Sequence, residues 1–474
     1  MRLTPDDLCF VPAARLAGLV RRRAVSPLEV TRAVLDRIAR VNPALNAYCT
    51  VAADQALAAA RAATRALHRR APLGPLHGVP VSIKDLVPTR GIRTTYGSKI
   101  YEHHVPDADA LVVARLRAAG AIVIGKTNTP EFGAGGNTYN DVFGPTRNPW
   151  NRALTCGGST GGGAAALAAG LAPLAQGSDL GGSLRTPAAF CGVVGFRTSP
   201  GLVPVYPVAV GWDTYGVQGP MARTVADAAL MLSVIAGADP RAPISYDVDP
   251  RAFTAAVRRP RVKGLRIAWS ADLGVTPVEA EIRRVCEAAT GVFRRLGARV
   301  DEAHPAFDGL EEIVLTSRGA RMVALHDEKL PAWRGVMQEN LVKNIDQGLA
   351  LRAQDIGRAE RLRTALWHRV RQFFERYDLI VTPTTAVLPF PVEVKFPTTI
   401  DGRPMANYIQ WLLPTYAFTV IGVPAISIPC GFSRDGLPVG LQIAGRWRDE
   451  ATVLRAAAAF EEAAPWSHLR PPGL

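Results

Sequence analysis

The chain is 474 residues long, 48% hydrophobic and 20% charged, which supplies enough apolar surface for a large core and excludes a disordered protein. Its formal net charge of +14 arises from 55 basic against 41 acidic residues, and only seven of the 55 are lysine. The basic residues are scattered, with residues 21–23 the longest run and no aromatic-interleaved patch, so the charge reads as a solvated arginine-rich surface and argues against nucleic acid or a membrane as partner.

In chain order, "MRLTPDDLCFVPAARLAGLV" carries acids and a proline where a secretory signal needs an unbroken apolar stretch, so no export is expected. "SPLE" at 26–29 has a capping serine, a proline in the first turn and a glutamate three residues after the cap, and it predicts a helix that stops before Asn42 and Pro43. An alanine-rich helix follows over about 51–68, then a short apolar strand at 79–85, an amphipathic helix near 108–119 and a strand at 121–125. The run "GGGAAALAAGLAPLA" at 161–175 is shorter than the ~20 residues needed to span a bilayer and rich in glycine, so it reads as a closely packed buried helix entering a strand. Further strands are expected near Leu265, Asp378, Pro424 and Leu437, separated by helices at about 277–296, 352–376 and 450–462.

This alternation predicts an α/β protein with a largely buried sheet. No repeat or low-complexity linker divides the chain, so residues 1–474 read as one large domain: N-terminal helices over 1–75, the motif-rich core over 76–201, and a helical excursion at about 300–350 that serves as a lid or partner surface. The six cysteines, Cys9, Cys49, Cys156, Cys191, Cys286 and Cys430, form no CxxC pair, so neither a zinc site nor a disulfide framework is indicated and a reducing, cytoplasmic setting fits.

Two short motifs compete for a chemical reading. "GAIVIGKT" at 120–127 fits the G-x-x-x-x-G-K-[ST] phosphate loop, which would make a nucleotide-binding α/β module. Its four intervening residues are themselves strand-like, however, so Lys126 reads as a structural residue at a strand end. "GGSTG" at 157–161 fits the G-x-S-x-G elbow, but the polar, proline-broken "TRNPWNRALTC" before it is no buried strand; His304, His326 and His368 would be the partners of such a serine.

A third stretch, "GSDLGGSLRTP", sets two glycines before Ser183, so that backbone N–H groups can converge on a bound carbonyl. Lys84 lies in the apolar run "VSIKD", where burial disfavours the ammonium and a neutral lysine can act as a base. The alternative for this lysine is a surface pair with Asp85.

Taken together, "LHGVPVSIKDLV" (76–87), "AGAIVIGKTNTPEFG" (119–133), "GPTRNPWN" (144–151), "GGSTGGG" (157–163), "GSDLGGSLRTPAAFCGVVGFRTSPG" (177–201) and "GVPAISIPCGFSRDGLPVGLQIAG" (422–445) resemble the amidase signature hydrolases over most of the chain. The departures are Thr160 for a second serine, Leu180 for a frequent threonine, and Arg197-Thr198 for Lys-Pro. The resemblance implies one amidase signature domain, a mixed twisted sheet covered by helices on both faces. It implies Lys84 as base, Ser159 as bridging serine after a cis peptide at Gly158, and Ser183, 24 residues later, as nucleophile.

The backbone N–H groups of Leu180, Gly181, Gly182 and Ser183 are then expected to form the oxyanion hole, with Gly158, Thr160, Asp179 and Arg185 shaping the site and the last two forming a charge pair. No metal or organic cofactor is implied. The expected reaction is hydrolysis of an amide, anilide or carbamate, or of an ester, in a small apolar or aromatic substrate, through a serine acyl-enzyme. Candidate substrate contacts are Phe132, Asn137, Tyr139, Trp212, Tyr215, Met322, Trp333, Met337, Tyr408 and Trp411; no arginine is assignable to a substrate carboxylate. A monomer or homodimer is expected. The alternative within the fold is the amidase subunit of a glutamine-dependent tRNA amidotransferase, whose "SRYG" and "SLD" features are missing after "FRTSPGLVPVYPVAVGWDTYG".

Overall fold

A computed structural model describes residues 3–69 and 72–474. The capping signal at Ser26 is realised: Glu29 N–H donates to Ser26 Oγ (3.1 Å) and Ser26 N–H to Glu29 Oε2 (2.7 Å), opening the helix Pro27–Leu45. That helix runs through Pro43 instead of stopping before it. Pro43 falls in the final turn, and the Asn42 carboxamide oxygen accepts from the N–H groups of Ala47 (2.9 Å) and Tyr48 (2.8 Å), tying the helix end to the strand that follows.

The strands are β1 (Tyr48–Val51), β2 (Pro80–Lys84), β3 (Ile122–Thr127), β4 (Leu174–Asp179), β5 (Val194–Arg197), β6 (Val217–Ala222), β7 (Arg266–Trp269), β8 (Arg299–Glu302), β9 (Leu379–Pro383), β10 (Thr399–Ile400), β11 (Arg403–Pro404), β12 (Ala425–Phe432) and β13 (Pro438–Gly445). Eleven of them form one sheet in the order β1-β3-β2-β4-β6-β5-β12-β13-β9-β7-β8, while β10 and β11 pair separately. The sheet is mixed: β3, β2 and β4 run parallel, as do β9, β7 and β8, and the strands between them are antiparallel.

Alternate residues of single strands enter different cores. Val123 of β3 packs in one apolar cluster with the helices Val225–Ile235, Ala280–Arg295 and Glu450–Ala463; Ile122 and Ile124 pack in another with Pro27–Leu45 and Gly161–Ala168. Helices therefore cover both faces, the α/β arrangement expected from the sequence. Within the 300–350 stretch the chain forms the helices Leu310–His326, Leu330–Trp333 and Glu339–Leu349. Among the described residues no helix is long and apolar enough to cross a membrane.

Candidate active site

Lys84 is the last residue of β2, and Ser178 and Asp179 close the neighbouring parallel strand β4 (Ile83 pairs with Gln176), so both strands deliver side chains at their carboxyl ends. Between them, Ser159 and Thr160 precede the wholly buried helix Gly161–Ala168, and the Gly158–Ser159 peptide bond is cis. Lys84 is fully buried. Its Nζ donates to Ser159 Oγ (2.7 Å), Thr160 Oγ1 (3.0 Å) and Ser178 Oγ (3.1 Å). The surface pairing with Asp85 is thereby excluded: Asp85 is buried and accepts from Thr95 N–H and Oγ1.

Burial pushes the Lys84 ammonium down to about 7, against an upward pull from Asp179. Once neutral, its lone pair needs a hydroxyl donor. Thr160 Oγ1 already donates to Ser178 O (3.2 Å), and of the two remaining hydroxyls Ser159, at 2.7 Å, is closer than Ser178, at 3.1 Å, and is the favoured partner. Ser178 is not anticipated from sequence; the signal is its place one residue before Asp179, at the end of the strand beside the lysine strand.

The turn after β4 is built around Asp179. Its carboxylate accepts from Arg185 Nη2 (2.8 Å) and Nε (3.1 Å), Arg197 Nη1 (3.2 Å), Gly182 N–H (3.0 Å) and Leu184 N–H (3.0 Å). Burial opposes ionisation here, but the two guanidinium groups hold the carboxyl well below the usual carboxylate range. Arg197, noted in the sequence as a departure, is thus part of the same ion cluster. Gly182 has φ 110°, a conformation that disfavours a side chain.

The Gly182 N–H points at Asp179, so it is withdrawn from the expected oxyanion hole. The N–H groups of Leu180, Gly181 and Ser183 make no hydrogen bond among the described residues and are free for a ligand. The Ser183 hydroxyl is likewise unpartnered there and opens, with Ser159, onto a cavity of about 1020 Å³, its mouth included. Leu86, Phe132, Val203, Met322 and Leu325 give this cavity apolar walls.

The other candidates separate clearly. Phe132 and Met322 line the large cavity, and Tyr408 lines a narrower recess with Ser183, Leu180 and Gly181. Tyr215 flanks a side recess behind Leu180 and bonds Ser317 Oγ (2.7 Å). Asn137 and Trp411 are buried behind the site: Asn137 Nδ2 donates to Val394 O (2.8 Å), and the Trp411 ring packs on Gly136 and the rings of Phe190 and Phe390. Tyr139 accepts from Asn340 (3.3 Å), and Met337 packs in a small core with Leu341 and Ile345. Trp212 (76% exposed) and Trp333 (39% exposed) face solvent and line neither space, because each stands on a segment whose apolar contacts are made by its neighbours.

Neither competing motif survives. Residues 122–127 of that motif form the buried strand β3, which leaves no loop between Gly120 and Lys126 to cradle a phosphate. Lys126 Nζ donates to Val87 O, Thr89 Oγ1 (3.0 Å) and Thr94 Oγ1 (2.9 Å). None of the three histidines bonds Ser159: His304 Nδ1 lies 3.0 Å from Pro305 O, His368 packs on Trp367, and His326, on the cavity wall against Phe132, is held neutral by burial that lowers it to about 3.

A model of the Amidase family matches residues 29–454. The chain belongs to the amidase family. As such it is an enzyme that hydrolyses amide bonds. This amidase is 40% identical to an acylamidase of Rhodococcus erythropolis, with 99% of this chain and 98% of that protein covered. It is 37% identical to a glutamyl-tRNA(Gln) amidotransferase subunit of Thermosynechococcus vestitus, over 95% of this chain and 97% of that one. Its fold superposes on a bacterial aryl acylamidase of the amidase signature enzymes with a TM-score of 0.90 at 34% identity, covering 97% of each chain.

Proposed function

We propose that this amidase cleaves small, largely apolar amides and anilides, and carbamates or esters of similar shape, with Ser183 as nucleophile, Ser159 as proton relay and Lys84 as base. The observation that carries the reading is a fully buried lysine, lowered to about 7, whose shortest contact is Ser159 at 2.7 Å in the cavity that Ser183 also lines. Neutral Lys84 takes the Ser159 proton as Ser159 takes that of Ser183, and Ser183 Oγ adds to the substrate carbonyl. The developing oxyanion sits on the free N–H groups of Leu180, Gly181 and Ser183, near the fixed positive charge of the Arg185–Arg197 pair.

The proton returns through Ser159 to the leaving nitrogen, the C–N bond breaks, and an acyl-enzyme remains. Water, deprotonated by the same relay, adds to the ester carbonyl; the C–O bond to Ser183 breaks, the relay returns the proton to Ser183 Oγ, and the acid leaves. Kinship to the Rhodococcus acylamidase and the apolar cavity wall support the substrate class. The tRNA-amidotransferase reading draws on 37% identity but lacks the sequence features named above. Release of ammonia from glutamine in the presence of a tRNA-binding partner would favour it instead.

The test is mass spectrometry after fluorophosphonate treatment, alongside hydrolysis of 4-nitroacetanilide. An adduct on Ser183 that disappears in Ser183→Ala, together with loss of turnover, is the expected result. An adduct on Ser159, or full activity in Ser183→Ala, would overturn the assignment.

A further inference from the structure

The helix Leu310–His326 carries an apolar stripe toward the protein interior, Leu310, Val314 and Met322, and Arg318 occupies the remaining position of that i, i+4 series. Arg318 is only 7% exposed. Its Nε donates to Asn344 Oδ1 (2.8 Å) and Tyr408 OH (2.8 Å), and its Nη1 to Tyr416 OH (3.2 Å). None of the three acceptors is a carboxylate. Among the described residues no carboxylate lies within 4.0 Å of this guanidinium, and its Nη2 has no hydrogen-bond partner.

One turn on, Arg321 bonds Asp213 Oδ2 through Nη2 (3.0 Å), while its buried Nε and Nη1 have no partner. Of the two arginines only Arg321 meets a carboxylate, and both line the large cavity together with Ser183. The Asp179 cluster adds no compensating charge, since Arg185 and Arg197 already outnumber its single carboxylate. A buried guanidinium without a counter-ion is costly unless an anion completes it, and a planar fork with a free N–H edge suits a carboxylate.

Arg318 is also tied to the reacting turn. Its partner Tyr416 packs so closely on Gly181 that a Cβ there would overlap the ring, and Arg318, Tyr416, Gly181 and Ser183 line one recess. Taking the amidase reading above as its basis, we infer that this site is built for amides bearing a carboxylate on the acyl or the amine side, and that Arg318 is the specificity-determining residue that receives it. The apolar walls hold the body of such a substrate; the charge sits at its end.

Two matched pairs test this as competitors of fluorophosphonate labelling of Ser183: glutaric acid monoanilide against pentanoic anilide, and N-acetyl-4-aminobenzoate against N-acetyl-4-methylaniline. In at least one pair the carboxylate is expected to protect at about tenfold lower concentration than its neutral partner. In Arg318→Met that ratio falls to parity, while Arg318→Lys keeps part of it. Equal or better protection by the neutral member of both pairs overturns the inference without touching the hydrolase reading. A preference that persists in Arg318→Met removes the assignment to Arg318. No labelling of Ser183 at all removes its assignment as nucleophile, and this inference with it. The comparison within the native protein decides the main point even where a variant folds poorly.

Discussion

Lys84 was legible because a lysine inside "VSIKD" has to lose either its burial or its charge, and in this protein it keeps the burial. As the proposed base the group acts only when neutral, so kcat/KM should rise about tenfold per pH unit below its value of about 7 and level off above it. A pH profile with an unreactive-to-reactive step near 7 is the expected measurement; a flat profile from pH 5 to 9 would dismiss Lys84 as the base. Lys84→Ala should lower kcat by about 10²–10⁴ with little change in KM, since the lost group acts on the proton and not on substrate binding. Ser178 and Arg318 stayed hidden at this scale for different reasons. A serine in a strand has no signature of its own. Arg318 did have one, an arginine at an apolar-face position of a helix, but among 48 arginines it did not stand out until burial singled it out.

At the scale of elements, the turn 179–185 depends on one carboxylate serving two arginines and two backbone N–H groups. Asp179→Asn keeps the shape but strands Arg185 and Arg197 as buried unpaired charges, so urea unfolding should report a loss of about 3–5 kcal/mol. Gly181→Ala would press a methyl into the Tyr416 ring, whose hydroxyl Arg318 holds. Overpacking of this kind costs about 1–3 kcal/mol, and because the proposed mechanism places the oxyanion on the Gly181 N–H, kcat should fall further than KM changes in steady-state kinetics.

Elements with strong periodicity or capping were readable, among them the helices Pro27–Leu45 and Ala353–Arg376 and the strands β2, β12 and β13. Strand β6 was not, because "VQGPMA" contains the glycine and proline that argue against a strand. Gly219 is accepted there because the Phe196 carbonyl oxygen occupies the space its Cβ would need. The aromatic residues proposed for the substrate divided by side-chain direction: Tyr408 and Phe132 line the cavity spaces, whereas the Trp212 and Trp333 side chains are exposed, even though Val210, Gly211 and Asp213 beside Trp212 line the cavity.

For the molecule as a whole, the charge of +14 is broken up by local pairs such as Arg40–Asp6, Arg334–Asp346, Arg352–Asp355 and Arg358–Glu312, so no continuous basic stripe is presented by them. Gel-shift titration with total tRNA at about 150 mM salt is therefore expected to give no retarded band; tight, salt-sensitive binding would reopen the amidotransferase reading. The reaction class and the family were legible in the sequence through the resemblance of its motifs, taken together, to the amidase signature hydrolases; singly, the glycine-rich turn and Lys84 left structural readings open. The three-dimensional fold decided which N–H groups remain free at the turn, which aromatic side chains reach the cavity, and that of two arginines on one helix only Arg321 meets a carboxylate. These depend on what long-range packing leaves unpaired, a property that no local stretch of sequence contains.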